Sequence, residues 1–181
     1  MKKLTFDSIK DYIYLPRLNE DEYKIRNTVR CILLNNKNEV GLLLIDRDDD
    51  FGKMKHFETP GGGVNEGESL IEALEREISE EVGCKIKDIQ YLCNISNEYN
   101  LLKRIDSATF FLAYVDEFGE THFDDYEVDL IKGLIWIPLD NFEEYYDKYP
   151  PYKVSHIIYE RDQKVLKLVR DLLKEKSLWW D

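Results

Sequence analysis

Residues 61–83 constrain this 181-residue chain more than any other stretch, because they join a glycine turn directly to a helix with marked ends. The turn reads Gly61-Gly62-Gly63-Val64-Asn65-Glu66-Gly67. Ser69 can then cap a helix with its hydroxyl, while Glu72, three residues on, reaches back to the cap's own N–H. Gly83 stands where helices commonly close on a left-handed residue. Between these signals Leu74, Ile78 and Val82 recur at every fourth position, with Ile71 beside them, so one apolar stripe needs a core to lie on. Glu77, Glu80 and Glu81 are spaced i+3 and i+4, which puts them together on a neighbouring, exposed face. Three like charges there repel, so something positive belongs among them. Ligands that are all oxygen favour Mg²⁺ or Mn²⁺ over zinc.

A solvated acidic face is the ordinary outcome for such glutamates in a Glu-rich chain. The fixed spacing decides against it here. Residues 62–84 read G-x5-E-x7-R-E-(apolar)-x-E-E-x-G-(apolar) at every fixed position, and residue frequencies put a chance match on the order of one in a million.

Composition narrows the functions that this motif can serve. The net charge is 25 − 37 = −12, which argues against nonspecific binding to nucleic acid or to an anionic membrane. A small anionic substrate stays compatible with that charge, because bound metal inverts the local field. Cys31, Cys84 and Cys93 form an odd set without a C-x-x-C pair and read as free thiols of a reducing compartment. His56, His122 and His156 are scattered and read as surface or packing residues. Asp7, Lys10 and Asp11 interrupt any apolar run after Met1, and no segment approaches the roughly 20 apolar residues of a membrane span. A soluble cytoplasmic protein is expected.

The length suits one compact domain, with residues 1–27 as an N-terminal extension of weak periodicity. Its Tyr12 and Tyr14 either pack on the domain or contact a base or a second subunit. Apolar runs at 29–34 and 40–45 flank Asn35-Asn36-Lys37-Asn38-Glu39 and predict a hairpin. Residues 46–55 read as a charged loop and 57–59 as a short strand. Strands are expected at 86–99, 105–115 and 134–137, an acidic loop at 116–129, and a short helix at 141–146. A last helix at 155–174 carries Ile158, Val165, Leu168, Val169 and Leu172 on one side. Trp179 and Trp180 follow it, and the sequence leaves open whether they anchor to the domain or join a homodimer.

The motif over residues 62–84 resembles the Nudix box of the Nudix hydrolase superfamily. Pro60-Gly61-Gly62 after an apolar strand and the later Trp136-Ile137-Pro138-Leu139 extend the similarity, and Cys84 stands where an aliphatic residue is usual. The resemblance implies an α/β fold, an α/β/α sandwich with a mixed β-sheet. It also implies Mg-dependent hydrolysis of the diphosphate linkage in a nucleoside diphosphate derivative: a nucleoside triphosphate, a dinucleoside polyphosphate or a nucleotide sugar. By position it makes Glu77, Glu80 and Glu81 both metal ligands and catalytic residues, with the Gly62 carbonyl as an additional ligand. Arg76 and Glu68 would pair to hold helix and loop in register. The general base falls among the helix glutamates, or among Glu117, Glu120 and Glu127 in the loop before the Trp136 strand. For the substrate, Arg47 occupies the place of a phosphate-contacting arginine, with Arg30 and Arg104 as alternatives, and Tyr99 lies near the place of a tyrosine used on dinucleoside polyphosphates. Neither an ADP-ribose proline nor a coenzyme A signature is evident. The alternative is a noncatalytic Nudix-like domain that binds a nucleotide and regulates a partner; such domains often lose box glutamates, and all are retained here.

Overall fold

The computed structural model describes residues 7–14, 19–121 and 130–177. In chain order the elements are β1 (Asp7–Ile9), β2 (Lys24–Leu34), β3 (Glu39–Asp49), β4 (Gly52–Glu58), α1 (Leu70–Val82), β5 (Cys84–Tyr99), β6 (Arg104–Phe118), β7 (Ile131–Pro138), α2 (Phe142–Tyr146) and α3 (Ser155–Ser177). The strands form one sheet in the order β1-β5-β6-β2-β3-β4, with β7 paired to β3. It is mixed: β1 with β5 and β2 with β6 run parallel, while the other pairs are antiparallel.

Side chains alternate across a strand, and β2 uses both sides. Val29, Cys31 and Leu33 meet Leu74, Ile78 and Val82 of α1 on one face. Ile32 and Leu34 meet Val165, Leu166 and Val169 of α3 on the other. The fold is therefore α/β, a helix on each face of a mixed sheet, as the sequence led us to expect.

The structure corrects three boundaries. Residues 46–55 are not a loop: β3 continues to Asp49 and β4 begins at Gly52, with Asp46 opposite Lys55 in register. That charged pair meets across the strands at 3.0 Å, so cross-strand partners replace the missing apolar alternation. Second, β2 begins at Lys24, well before its apolar run, because parallel pairing from Lys24↔Arg104 onward supplies the backbone partners. Third, β6 extends to Phe118 and shortens the expected acidic loop. Glu127, His122, Trp179 and Trp180 lie outside the described residues.

All three cysteines are free and buried, and burial pushes the Cys84 and Cys93 thiols up to about 11 and about 12. Among the described residues no helix is long and apolar enough to cross a membrane.

Candidate active site

The ends of α1 follow from its sequence. The Ser69 hydroxyl accepts the Glu72 N–H at 3.2 Å, the Glu72 carboxylate accepts the Ser69 N–H at 2.9 Å, and Gly83 closes the helix at φ 69°. Ahead of it, the glycine turn is laced to β2: Cys31 N–H donates to the Pro60 carbonyl, Val29 N–H to Gly62 and Val64 N–H to Asn27, all at 2.9–3.0 Å. Glycine is required by the close fit. A Cβ on Gly61, at φ 132°, would lie 2.2 Å from the Val29 carbonyl oxygen, and one on Gly62 would lie 2.5 Å from the Glu77 carboxylate.

That fit puts Glu77 and Glu81 against the turn, not out in solvent. Glu77 and Glu81 are 6 % and 8 % exposed, which corrects the expectation of an exposed face. The apolar stripe and the acidic set are adjacent on a helix, and the turn covers what the sheet does not. Glu81 accepts the Gly61 N–H at 2.6 Å. Arg76 gathers the others: Nε and Nη2 donate to the two oxygens of Glu68 at 2.8 and 2.9 Å, Nη1 to Glu77 at 2.8 Å and Glu80 at 3.1 Å, and Nη2 also to the Gly63 carbonyl at 2.8 Å. The Arg76 guanidinium and the Asn65 N–H hold the Glu68 carboxyl down at about 2. Burial raises the Glu77 carboxyl above its ordinary value, and Arg76 only partly offsets it.

The donor set fits a hard divalent cation. It is all carboxylate, Glu77 and Glu81 are buried, and burial of Glu77 outweighs what Arg76 and Arg30 do to stabilise its charge. As placed, Glu77 and Glu80 turn toward Arg76 and Glu81 toward Gly61. Among the described residues no three acidic, histidine or cysteine side chains already converge as a cation cage. The Gly62 carbonyl faces β2 and has one lone pair engaged by Val29.

Beside the turn, on the α3 side of the sheet, lies a cavity of about 410 Å3. Its walls include Arg26, Arg30, Arg47, Arg104 and Tyr99. The structure thus brings the predicted Arg30, Arg47, Tyr99 and the alternative Arg104 to one place, from four different strands. Arg47 donates from Nε and Nη2 to Asp49 at 2.8 and 2.5 Å and lies 5.1 Å from the Phe51 ring centroid. Arg104 pairs with Asp106 at 2.6 Å and lies 5.4 Å from the Tyr99 centroid. Phe51 and Tyr99 meet edge to face, and burial pushes the Tyr99 hydroxyl up to about 12. Tyr14 packs its ring on Phe51, while Tyr12 is exposed. Asn100 locks this corner by donating from its backbone N–H to Asp11 at 2.9 Å and accepting from the Tyr23 hydroxyl at 2.5 Å.

Sequence reasoning missed two elements. One is Arg26, in the polar lead-in of β2. The other is a charge network tying α3 to the turn: Glu58 accepts Arg30 at 2.8 Å and Arg161 at 3.0 Å, Arg161 donates to Asp162 at 2.7 Å, and Asp162 accepts the Thr59 N–H at 2.7 Å. Arg161 and Asp162 are 2 % and 0 % exposed. His56, also buried, holds Nε2 at 3.6 Å from Glu58. Arg161 and Asp162 are adjacent in the sequence and could have signalled a buried pair on an otherwise apolar face.

The loop candidates for a base stand elsewhere. Glu117 pairs with Lys85 on the exposed end of β6, and Glu120 lines a separate recess with Gly83 at the far end of α1.

A family model, the NUDIX domain, matches residues 24–157. The chain belongs to the NUDIX family. An RNA pyrophosphohydrolase of Escherichia coli O139:H28 is 36 % identical over 73 residues, covering 36 % of this chain and 42 % of that protein, so the match spans less than half of the curated relative. Among solved structures, the MutT NUDIX hydrolase from Burkholderia pseudomallei is 21 % identical with a TM-score of 0.56, covering 75 % of this chain and 94 % of that one. The NUDIX domain of Shewanella oneidensis NrtR, complexed with ADP ribose, is 16 % identical with a TM-score of 0.59 over 86 % of this chain and 94 % of that one. At those identities both likenesses concern the NUDIX fold.

Proposed function

We propose that this protein hydrolyses a phosphoanhydride bond in a nucleoside diphosphate derivative, of the nucleoside triphosphate, dinucleoside polyphosphate or nucleotide sugar class. The observation that carries this reading is a carboxylate cluster on α1, with Glu77 and Glu81 buried, separated from an arginine- and aromatic-lined cavity by a single glycine turn. The curated RNA pyrophosphohydrolases support this reaction chemistry, and the ADP-ribose-bound neighbour supports a small nucleotide compound as ligand.

Glu77, Glu80 and Glu81 would hold Mg²⁺ or Mn²⁺, with the second lone pair of the Gly62 carbonyl as a further donor. Such an ion, when bound, neutralises phosphate oxygens and acidifies a coordinated water. The chain's own residues set up the rest. Arg76, fixed by Glu68, orients Glu77 and Glu80. One helix glutamate accepts the water's proton. Arg30, Arg47 and Tyr99 shape the cavity around the nucleoside end. Retention of every box carboxylate favours hydrolysis over purely regulatory nucleotide binding. The reduced buried thiols suit the cytoplasm, and the net charge of −12 suits a small nucleotide over nucleic acid or membrane.

The test is a panel of nucleoside diphosphate derivatives incubated with the protein and Mg²⁺ and scored for phosphate-containing products. Metal-dependent release from at least one class is expected. Absence of turnover across the panel, with or without Mn²⁺, would refute the reading.

A further inference from the structure

We infer that Arg26 is the residue that grips the substrate's phosphate chain, while the other cavity arginines serve to shape the walls. This rests on the cavity being the substrate site. Four guanidiniums line it, and three are committed: Arg30 to Glu58, Arg47 to Asp49 and Arg104 to Asp106. Arg26 is exposed and, among the described residues, has no carboxylate partner. Its neighbour in register across the parallel strands is Asp106, which is spent on Arg104.

Position gives the free guanidinium its meaning. A Cβ on Gly63 would meet Arg26 Nη2 at 2.9 Å, so the guanidinium lies against that glycine's Cα. The carbonyl of the same residue accepts Arg76 Nη2 at 2.8 Å. Arg26 therefore stands at the seam between the cavity and the α1 carboxylates, where a diphosphate reaching from one to the other must pass.

Charge balance points the same way. The cavity walls carry four arginines and four acids, Asp49, Asp50, Glu58 and Asp106. An anion deep inside gains no net attraction, whereas an uncharged base or sugar finds ring faces and fixed hydrogen-bonding groups. At the seam, a planar guanidinium with its donors unspent matches two phosphate oxygens at once.

The experiment compares wild type, Arg26→Gln and Arg26→Lys by titration calorimetry in Mg²⁺, with ADP, inorganic pyrophosphate and adenosine as probes. Arg26→Gln should bind ADP and pyrophosphate about 10–100-fold more weakly, the loss of a charge-assisted pair, with adenosine unchanged. Arg26→Lys should recover part of the affinity with a steeper salt dependence, since the charge returns without the fork. In turnover the effect should fall on KM more than on kcat. Wild-type affinity for ADP and pyrophosphate in Arg26→Gln would overturn this assignment while leaving the hydrolase reading intact. A wild-type protein that binds neither probe and turns over no substrate would bring down both.

Discussion

Glu58 and Glu77 are two glutamates of similar enclosure, 13 % and 8 % side-chain exposure, that titrate in opposite directions. Burial raises Glu77, and Arg76, which is shared with Glu68 and Glu80, does not undo that even with Arg30 helping. Burial would raise Glu58 too, but Arg30, then His56 and Arg161, outweigh it and hold the carboxyl well below its ordinary value. A glutamate in similar shelter is thus an under-compensated carboxylate in one place and a structural tie in the other. Enclosure alone does not say which; the number of committed cations does.

The contrast can be broken from several sides. The largest effect is expected from Glu58→Gln, which leaves Arg30 and Arg161 short of a partner and should cost about 3–5 kcal/mol in urea unfolding; a loss below about 1 kcal/mol would mean the network holds nothing. Glu77→Gln should do the reverse, preserving or raising metal-free stability while turnover falls about 100–1000-fold, a ligand charge being removed from the reacting centre. Near-wild-type turnover in that variant would remove Glu77 from the machinery. Glu81→Gln should keep the fold as well, since an amide oxygen can still accept the Gly61 N–H. Next in size, Mg²⁺ at a hundredfold excess over its Kd should stabilise wild type by about 2.7 kcal/mol and have little effect on Glu77→Gln. Equal midpoints with and without Mg²⁺ in wild type would argue that the cluster takes no ion.

The smallest effect lies in pH. Glu77 has a folded pKa above its ordinary 4.5, so the native state binds the proton more tightly; its contribution to stability is full below 4.5 and is lost as pH rises through the raised value. Glu58 and Glu68 have folded values below 4.5, so their contributions are full above it and disappear as pH falls, for Glu68 toward about 2. Metal-free Glu77→Gln should therefore gain on wild type at neutral pH and lose that advantage near pH 4. A gap independent of pH would mean Glu77 is not perturbed.

The α1 site was legible because its parts are close along the chain. Ser69 and Glu72, Arg76 and Glu80, and the glutamate trio all stand at helical spacings, so the sequence shows them as neighbours before any folding. Their burial was not legible, because the cover is a turn whose path depends on β2. The cavity was half legible: Arg30, Arg47, Arg104 and Tyr99 could be named, but only the strand order brings them together. Arg26 escaped because it sits among polar residues that are strand only through pairing with β6. The Glu58–Arg161 pair spans 103 positions, and no local periodicity points across such a gap. Residues 46–55 misled for a related reason, their alternation being written in charges.

The hairpin of β3 and β4 presents Arg47, Asp49 and Phe51 to the cavity, whereas the box carboxylates ride on α1. In the proposed function, recognition and scission are thus mounted on separable parts of one chassis. Descendants of this chain could trade the hairpin tip for another and acquire a new diet, keeping the blade they inherited.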